Sequence, residues 1–158
     1  MKLAFHKGHG PEGELICYVT HSVYSHAELV FADGMSFSAR AERVPAVDII
    51  TPDFGDGRWD FVEIPGQFDE IPVRVWAEAQ RGRGYDWAAD VAFVLPNVRD
   101  ARSMLMCSGS CTAALQHCGL FLDFVPATVS PGQLWVMATV LRECFPLVTK
   151  PGAQAAAA

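Results

Sequence analysis

Apolar and polar positions alternate in short runs along the first half of the chain, and turn residues bound each run. This is the pattern of half-buried β-strands. The runs predict five strands, at residues 14–20, 25–31, 35–39, 44–50 and 58–64. Between the second and third of these, Asp33 and Gly34 predict a hairpin turn in which Gly34 adopts a positive φ.

The second half of the chain changes to a helical period. The predicted helices are residues 71–80 after an Asp69 cap, residues 87–95 after an Asp86 cap, a helix from 107 or 108 to 117 or 118, and residues 134–144 after the turn 130–132. The third helix carries an apolar stripe formed by Cys107, Cys111, Ala114, Leu115 and Cys118. Strands followed by helices predict an α+β fold.

Composition narrows the class of protein. The chain has 158 residues, of which 51% are hydrophobic, so it can bury a core, and a disordered chain is excluded. We expect one domain over residues 1–150 and a low-complexity tail at 151–158. A net charge of −6 argues against a general nucleic-acid-binding protein, because phosphate contacts need a basic surface.

The termini and the cysteines bear on location. The first residues lack the apolar stretch of a signal peptide, and no run reaches the ~18 apolar residues of a membrane helix. We therefore expect a cytoplasmic protein without an integral membrane segment. Its 5 cysteines are then expected to be free thiols, because the cytosol is reducing.

Cys107 is the strongest candidate for chemistry. A cysteine that opens a helix lies beside unpaired backbone N–H groups and the positive end of the helix dipole, which favour a thiolate. The N–H groups of Cys107 and Ser108 are also placed to receive an oxyanion. The structural alternative is that Cys107 is simply a small buried side chain, which is common for free cysteine.

A cysteine nucleophile needs a base, and His26 is the best candidate. Within the strand 25–31, alternation places His26 and Glu28 on one face, so Glu28 is a candidate to orient the imidazole. Ser36 and Ser38, across the hairpin, are alternative partners for the ring. The structural alternative is a solvent-exposed polar face.

Other patterns give weaker signals. Tyr85 and Trp87 are candidates for a substrate groove, although core packing explains them equally well. Cys107, Cys111, His117 and Cys118 extend about 16 Å along one helix at ~1.5 Å per residue, too far for one tetrahedral ion, so no metal site is expected. No nucleotide-binding or other cofactor motif is present, and we expect no cofactor.

The order of these features resembles a known superfamily. A strand histidine precedes a helix-opening cysteine, and the matching segments are 24–31 with Asp33 and Gly34, then 59–62, 85–87, 106–108 and 130–134. Together they resemble the circularly permuted branch of the NlpC/P60 papain-like superfamily. The likeness is to YiiX/YebB-like permuted amidases and their phage-encoded relatives, with the lecithin:retinol acyltransferase group as distant cousins.

The resemblance implies an antiparallel sheet packed against helices, Cys107 as nucleophile, His26 as general base and a polar residue, for which we favour Glu28, that orients His26. It implies an amidase or peptidase whose substrate is a small peptide, a peptidoglycan-like peptide or a lipid amide. Relatives often carry Cys-Ser-Glu at the nucleophile, where this chain has Gly109. Alternatives are an acyltransferase, or a non-catalytic binding or phage accessory protein, on the same scaffold. The oligomeric state stays open.

Overall fold

A computed structural model of the protein describes residues 1–40, 43–84 and 106–145. Three sequence predictions lie outside these residues: the helix at 87–95, the candidate groove residues Tyr85 and Trp87, and the tail at 151–158. Within the described ranges, no helix is both long and apolar enough to cross a membrane.

The described residues form an α+β structure around one five-stranded sheet. Neighbouring strands are antiparallel, in the order β4-β3-β2-β1-β5. The strands are β1 (Lys2–Lys7), β2 (Tyr24–Val30), β3 (Ser36–Ala39), β4 (Val47–Ile50) and β5 (Trp59–Glu63). The helices are α1 (Gly10–Thr20), α2 (Glu70–Gln80), α3 (Cys107–Gln116) and α4 (Pro131–Cys144), with a 3₁₀ turn at Pro126–Thr128.

The prediction of a strand at 14–20 is wrong, because this segment belongs to helix α1. Pro11 and Glu12 favour the first helical turn, and the left-handed His21 ends the helix by donating its N–H to the carbonyls of Cys17 and Tyr18. No residue of α1 is buried, and the helix contacts β2 without joining the sheet.

The strand that the sequence analysis missed is β1. Its side chains Leu3 and Phe5 are completely buried, and the strand lies between β2 and β5. β1, and not residues 14–20, therefore provides the ladder partner between β2 and β5.

The hairpin between β2 and β3 is confirmed. Gly34 has a φ of 85°, and the Phe31 N–H donates to the Met35 carbonyl at 2.9 Å. The predicted strands at 25–31, 35–39, 44–50 and 58–64 correspond to β2 to β5, with bounds that differ by up to three residues.

A β-bulge interrupts β2 next to the candidate base. His6 pairs with His26 and Lys7 pairs with Tyr24, so Ser25 is an extra residue in β2 with no partner in β1. A bulge redirects the side chains beside it, and bulges are frequent next to active sites. The alternation along β2 is therefore regular only from His26 onward.

The helix ends follow their capping residues. Asp69 caps α2 as predicted, since its Oδ1 accepts the Ile71 N–H at 2.9 Å. Helix α4 begins at Pro131, three residues before the predicted start at 134. The correction has a clear cause: Ser130 and Gln133 form a capping box, and Pro131 fits the first turn.

Helix α3 lies at the centre of the packing. It contacts β2, β3, α2, α4 and the 3₁₀ turn. The predicted stripe is buried at Cys107, Cys111, Ala114 and Leu115 and half-buried at Cys118, but the polar residues Ser108, Ser110 and Thr112 are buried as well. The helix is thus surrounded on most sides, and its small side chains allow its neighbours to approach closely.

Candidate active site

Cys107 is the first residue of α3, as the sequence predicted. The preceding residue, Met106, provides no side-chain cap, and the first intrahelical bond runs from the Ser110 N–H to the Met106 carbonyl at 2.8 Å. The N–H groups of Cys107 and Ser108 therefore lie in the turn where a helix has no acceptors of its own. The Cys107 side chain is held in a largely buried position, at 4% exposure.

The Ser108 hydroxyl anchors this helix start. It is completely buried and donates to the Val129 carbonyl at 2.6 Å, just before the Ser130 cap of α4. This bond ties the first turn of α3 to the start of α4. Because the hydroxyl of Ser108 is used in this bond, the backbone N–H of Ser108 is the group that can donate to an oxyanion.

This chain has Gly109 where the family that it resembles often has Glu, and the surroundings of Gly109 explain the difference by steric crowding. A Cβ atom at this position would lie 2.9 Å from the Pro126 carbonyl oxygen and 3.0 Å from the Met106 side chain. The contact with the Pro126 oxygen is closer than real Cβ atoms show, and the contact with Met106 is tighter than nine in ten real Cβ contacts. The 3₁₀ turn therefore packs against bare backbone, and the Glu of the Cys-Ser-Glu pattern does not fit here.

His26 follows the bulge in β2 and interacts with the side chains of both Cys107 and Glu28. Its Nε2 lies 3.2 Å from Glu28 Oε1. Since an ionised carboxylate only accepts hydrogen bonds, Nε2 carries the proton of this bond and Nδ1 is the nitrogen left for the thiol. Burial disfavours the imidazolium, but Cys107 and Glu28 outweigh burial and raise the pKa of His26 to about 9.

Glu28 is completely buried, so the alternative of a solvent-exposed polar face is wrong for this residue. It accepts hydrogen bonds from His26, from the Ser36 hydroxyl on Oε2 and from the Arg40 guanidinium on Oε1. Burial raises the pKa of Glu28, but His26, Arg40 and Ser36 together lower it to about 2. The carboxylate is therefore ionised and bound on both oxygens.

The two serines proposed as alternative partners of His26 occupy different places. Ser38 Oγ lies 3.5 Å from His26 Nε2 and donates to the Ala27 carbonyl at 2.8 Å. Ser36 bonds to Glu28 and not to the ring. Glu28, with the shorter contact and the charge, is the main partner of the imidazole.

A cleft of about 510 Å³ opens beside His26. Trp59 forms one wall, with its ring edge-on to His26 at 6.1 Å and tilted against His6 at 4.8 Å. The described lining residues include both acidic and basic side chains. They are His6, His9, Glu12, Gly13, Ile16, Ser25, His26, Ala39, Arg40, Arg43, Asp53, Asp56 and Trp59. The cleft thus leads to the imidazole of His26, while Cys107 is not among its described lining residues.

Known proteins give no further guide to this site. No protein-family model matches the chain, and no curated protein matches it. The chemistry of the site therefore rests on its own residues and geometry.

Arg40 is a site residue that sequence reasoning missed. A signal was present: Ser36, Ser38 and Arg40 alternate along β3 and just beyond it, so they share one face of the sheet. A basic residue on the face that carries Glu28 is the natural counter-charge for a buried carboxylate.

Two other histidines and one other cysteine are held in contacts outside this pair. His6 bonds to Asp56 at 2.8 Å, and His117, at the C-cap of α3, stacks on Trp76. The Cys111 thiol donates to the Ala27 carbonyl at 3.7 Å, and complete burial raises its pKa well above the ordinary value. Among the described residues, no group of three or more His, Cys, Asp and Glu side chains has the spacing of a metal site.

Proposed function

We propose that this protein is a papain-like cysteine hydrolase that cleaves an amide bond through a thioester on Cys107. His26 is the general base and acid, and Glu28 orients it. The observation that carries the proposal is the arrangement of His26, which contacts the Cys107 thiol and presents Nε2 to the buried Glu28 carboxylate.

The reaction would proceed in two halves. His26 Nδ1 takes the proton of the Cys107 thiol, and the thiolate adds to the amide carbonyl. The oxyanion forms beside the N–H groups of Cys107 and Ser108. Its collapse breaks the C–N bond, and the imidazolium gives its proton to the departing amine. Water then attacks the thioester as His26 removes its proton, and the C–S bond breaks to release the acid and restore the thiol.

The charges of the site support this sequence of steps. Cys107 and Glu28 raise the pKa of His26 to about 9, so the imidazole is a strong enough base to accept the Cys107 proton, and the thiolate beside the resulting imidazolium is the attacking form. Glu28 provides the negative charge that balances the imidazolium. The same hydrogen bond to Nε2 leaves Nδ1 directed to the thiol.

The architecture is compatible with the permuted papain-like fold. The candidate nucleophile opens a helix that packs on an antiparallel sheet, and the candidate base lies on a strand of that sheet. A cleft of about 510 Å³ has room for a short peptide. Peptides, peptidoglycan-like peptides and lipid amides all remain candidate substrates, and a cytoplasmic location and a phage-type source remain predictions of the sequence.

The test is thiol labelling combined with turnover of a panel of amides from these three substrate classes. Cys107→Ala should abolish hydrolysis and labelling by iodoacetamide below neutral pH, with the fold retained by circular dichroism. Cys111→Ala is the matched control, because it removes the next cysteine on the same helix and should leave both signals intact.

Three outcomes would contradict the proposal. Full turnover by Cys107→Ala would exclude the nucleophile. Uniformly slow labelling of all five thiols, with no turnover, would favour a non-catalytic binding protein. Acyl transfer to an added amine or lipid, without release of the free acid, would favour the acyltransferase alternative.

A further inference from the structure

We infer that Arg40 is a positioning residue of this site: it holds the buried Glu28 carboxylate ionised and turned toward His26. This role rests on the proposed dyad of Cys107 and His26. Arg40 acts on the imidazole only through Glu28, and no contact of Arg40 with the reacting thiol is required.

Glu28 is buried and therefore needs a counter-charge. Its side chain is fully shielded from solvent, and a carboxylate in such a place needs a counter-charge and satisfied lone pairs. His26 serves this purpose only when protonated. Arg40 is always charged and bonds to Oε1, the same oxygen that contacts His26 Nε2.

The β3–β4 ladder fixes the position of Arg40. Its backbone N–H donates to the Ala46 carbonyl at 2.8 Å, which continues the β3–β4 ladder past Ala39. Ser36 and Arg40 alternate on one face of this ladder, so a single rigid surface brings a hydroxyl to Oε2 and a guanidinium to Oε1. Both carboxylate oxygens of Glu28 are therefore held by hydrogen bonds from this ladder.

Other titratable and charged groups lie near His26 and Glu28. The described titratable and charged groups around His26 and Glu28 are Cys107 and Cys111 of α3, His6 of β1 and the cleft residues His9, Glu12, Arg43, Asp53 and Asp56. Of these groups and Arg40, only Arg40 and His26 are cations hydrogen-bonded to Glu28. Loss of Arg40 should therefore leave the ionisation of Glu28 dependent on the state of His26.

The experiment is an NMR titration of the His26 ring in the full-length protein. The unaltered protein should show no inflection between about pH 3 and 5, because His26, Arg40 and Ser36 together lower the pKa of Glu28 to about 2. Arg40→Gln should add an inflection between about pH 3 and 5, since loss of an adjacent cation raises the pKa of a carboxylate by about one to three units. Arg40→Lys keeps the charge and should remove this inflection.

Two further variants separate positioning from general structure. Glu28→Gln/Arg40→Gln has no carboxylate to titrate and should lack the acid inflection. Arg74→Gln loses the same charge, and Arg74 pairs with Asp33 and Glu78 outside the cleft, so its titration should match the unaltered protein. If Arg40→Gln unfolds in acid, the double variant should unfold at lower pH than Arg40→Gln. Equal acid midpoints would overturn the inference.

Labelling of Cys107 completes the test. Below the new inflection, Arg40→Gln should react several-fold more slowly than the unaltered protein, and the loss should be equal for neutral iodoacetamide and anionic iodoacetate. A loss confined to iodoacetate would overturn the inference, because Arg40 would then act as an anion contact in the cleft. If Cys107 shows no selective labelling in the unaltered protein, the proposed function fails, while the titration still reports the coupling of Arg40 to His26.

Discussion

Glu28 Oε1 lies 3.2 Å from His26 Nε2, although Glu28 is completely buried and His26 borders an open cleft two residues earlier on the same strand. This pair joins the interior of the sheet to the place where chemistry is proposed. Ser36 and Arg40 form hydrogen bonds to Glu28, and His26 interacts with Cys107. The charge on the imidazole is therefore set by Cys107 and by the buried Glu28.

Replacement of Glu28 by Gln should lower the pKa of His26 from about 9, because the imidazolium loses a negative neighbour. The alkaline limb of hydrolysis, which needs the imidazolium as the acid for the departing amine, should move to lower pH with it. An NMR titration of the ring measures the change. Asp56→Asn is the control, since Asp56 bonds to the cross-strand neighbour His6, and its His26 titration should be unaltered.

Stability in acid should depend on Glu28. Its pKa is lowered from 4.5 to about 2 in the folded protein, so its contribution is complete above pH 4.5 and is lost as the pH falls through 2. The loss should be about 3 kcal/mol in the free energy of unfolding. Urea denaturation at a series of pH values measures it.

The Glu28→Gln variant isolates this contribution, because the other depressed carboxylates, Asp33, Asp56 and Asp60, are unchanged in it. Its free energy of unfolding should fall less steeply below pH 4.5 than that of the unaltered protein. Parallel curves for the two proteins would show that Glu28 has no such role.

Gly109→Ala should destabilise the protein by about 1–3 kcal/mol, because the added Cβ meets the Pro126 carbonyl. Alanine is otherwise better than glycine in a helix by about 1 kcal/mol, so a loss here reports the clash alone. Thermal denaturation measures the loss. Gly66→Ala, at a position with open space, is the control and should be nearly neutral.

Ser108→Ala should cost about 1–3 kcal/mol, because it leaves the Val129 carbonyl without its buried donor. It should also slow iodoacetamide labelling of Cys107, since the first turn of α3 loses its tie to α4. Ser110→Ala is the matched control: it removes a buried hydroxyl that bonds only within α3, to the Cys107 carbonyl. Equal labelling by the two variants would contradict the anchoring role of Ser108.

The sequence predicted those features that depend on neighbours along the chain. Gly34 supplies the positive φ of its turn, Asp69 caps α2, and alternation places His26 and Glu28 on one face. The start of α3 at Cys107 is likewise local, because helix termini are set by a few adjacent residues.

The error at residues 14–20 shows where local patterns fail. This segment has strand-like residues, yet it forms α1, because β1 takes the place between β2 and β5 and Pro11 favours a helical turn. Strand propensity measures how well a side chain fits a half-buried sheet, so it depends on which segment takes that place.

What the sequence by itself determined is the set of reactive residues and their local setting: a cysteine at a helix start, and a histidine with a carboxylate on one strand face. Only the tertiary structure decided that His26 meets Cys107, that Glu28 is buried, that Arg40 balances its charge and that Pro126 leaves no room at Gly109. The physical reason is that burial and charge pairing arise between segments far apart in the chain, and their free energies depend on packing that no local period encodes.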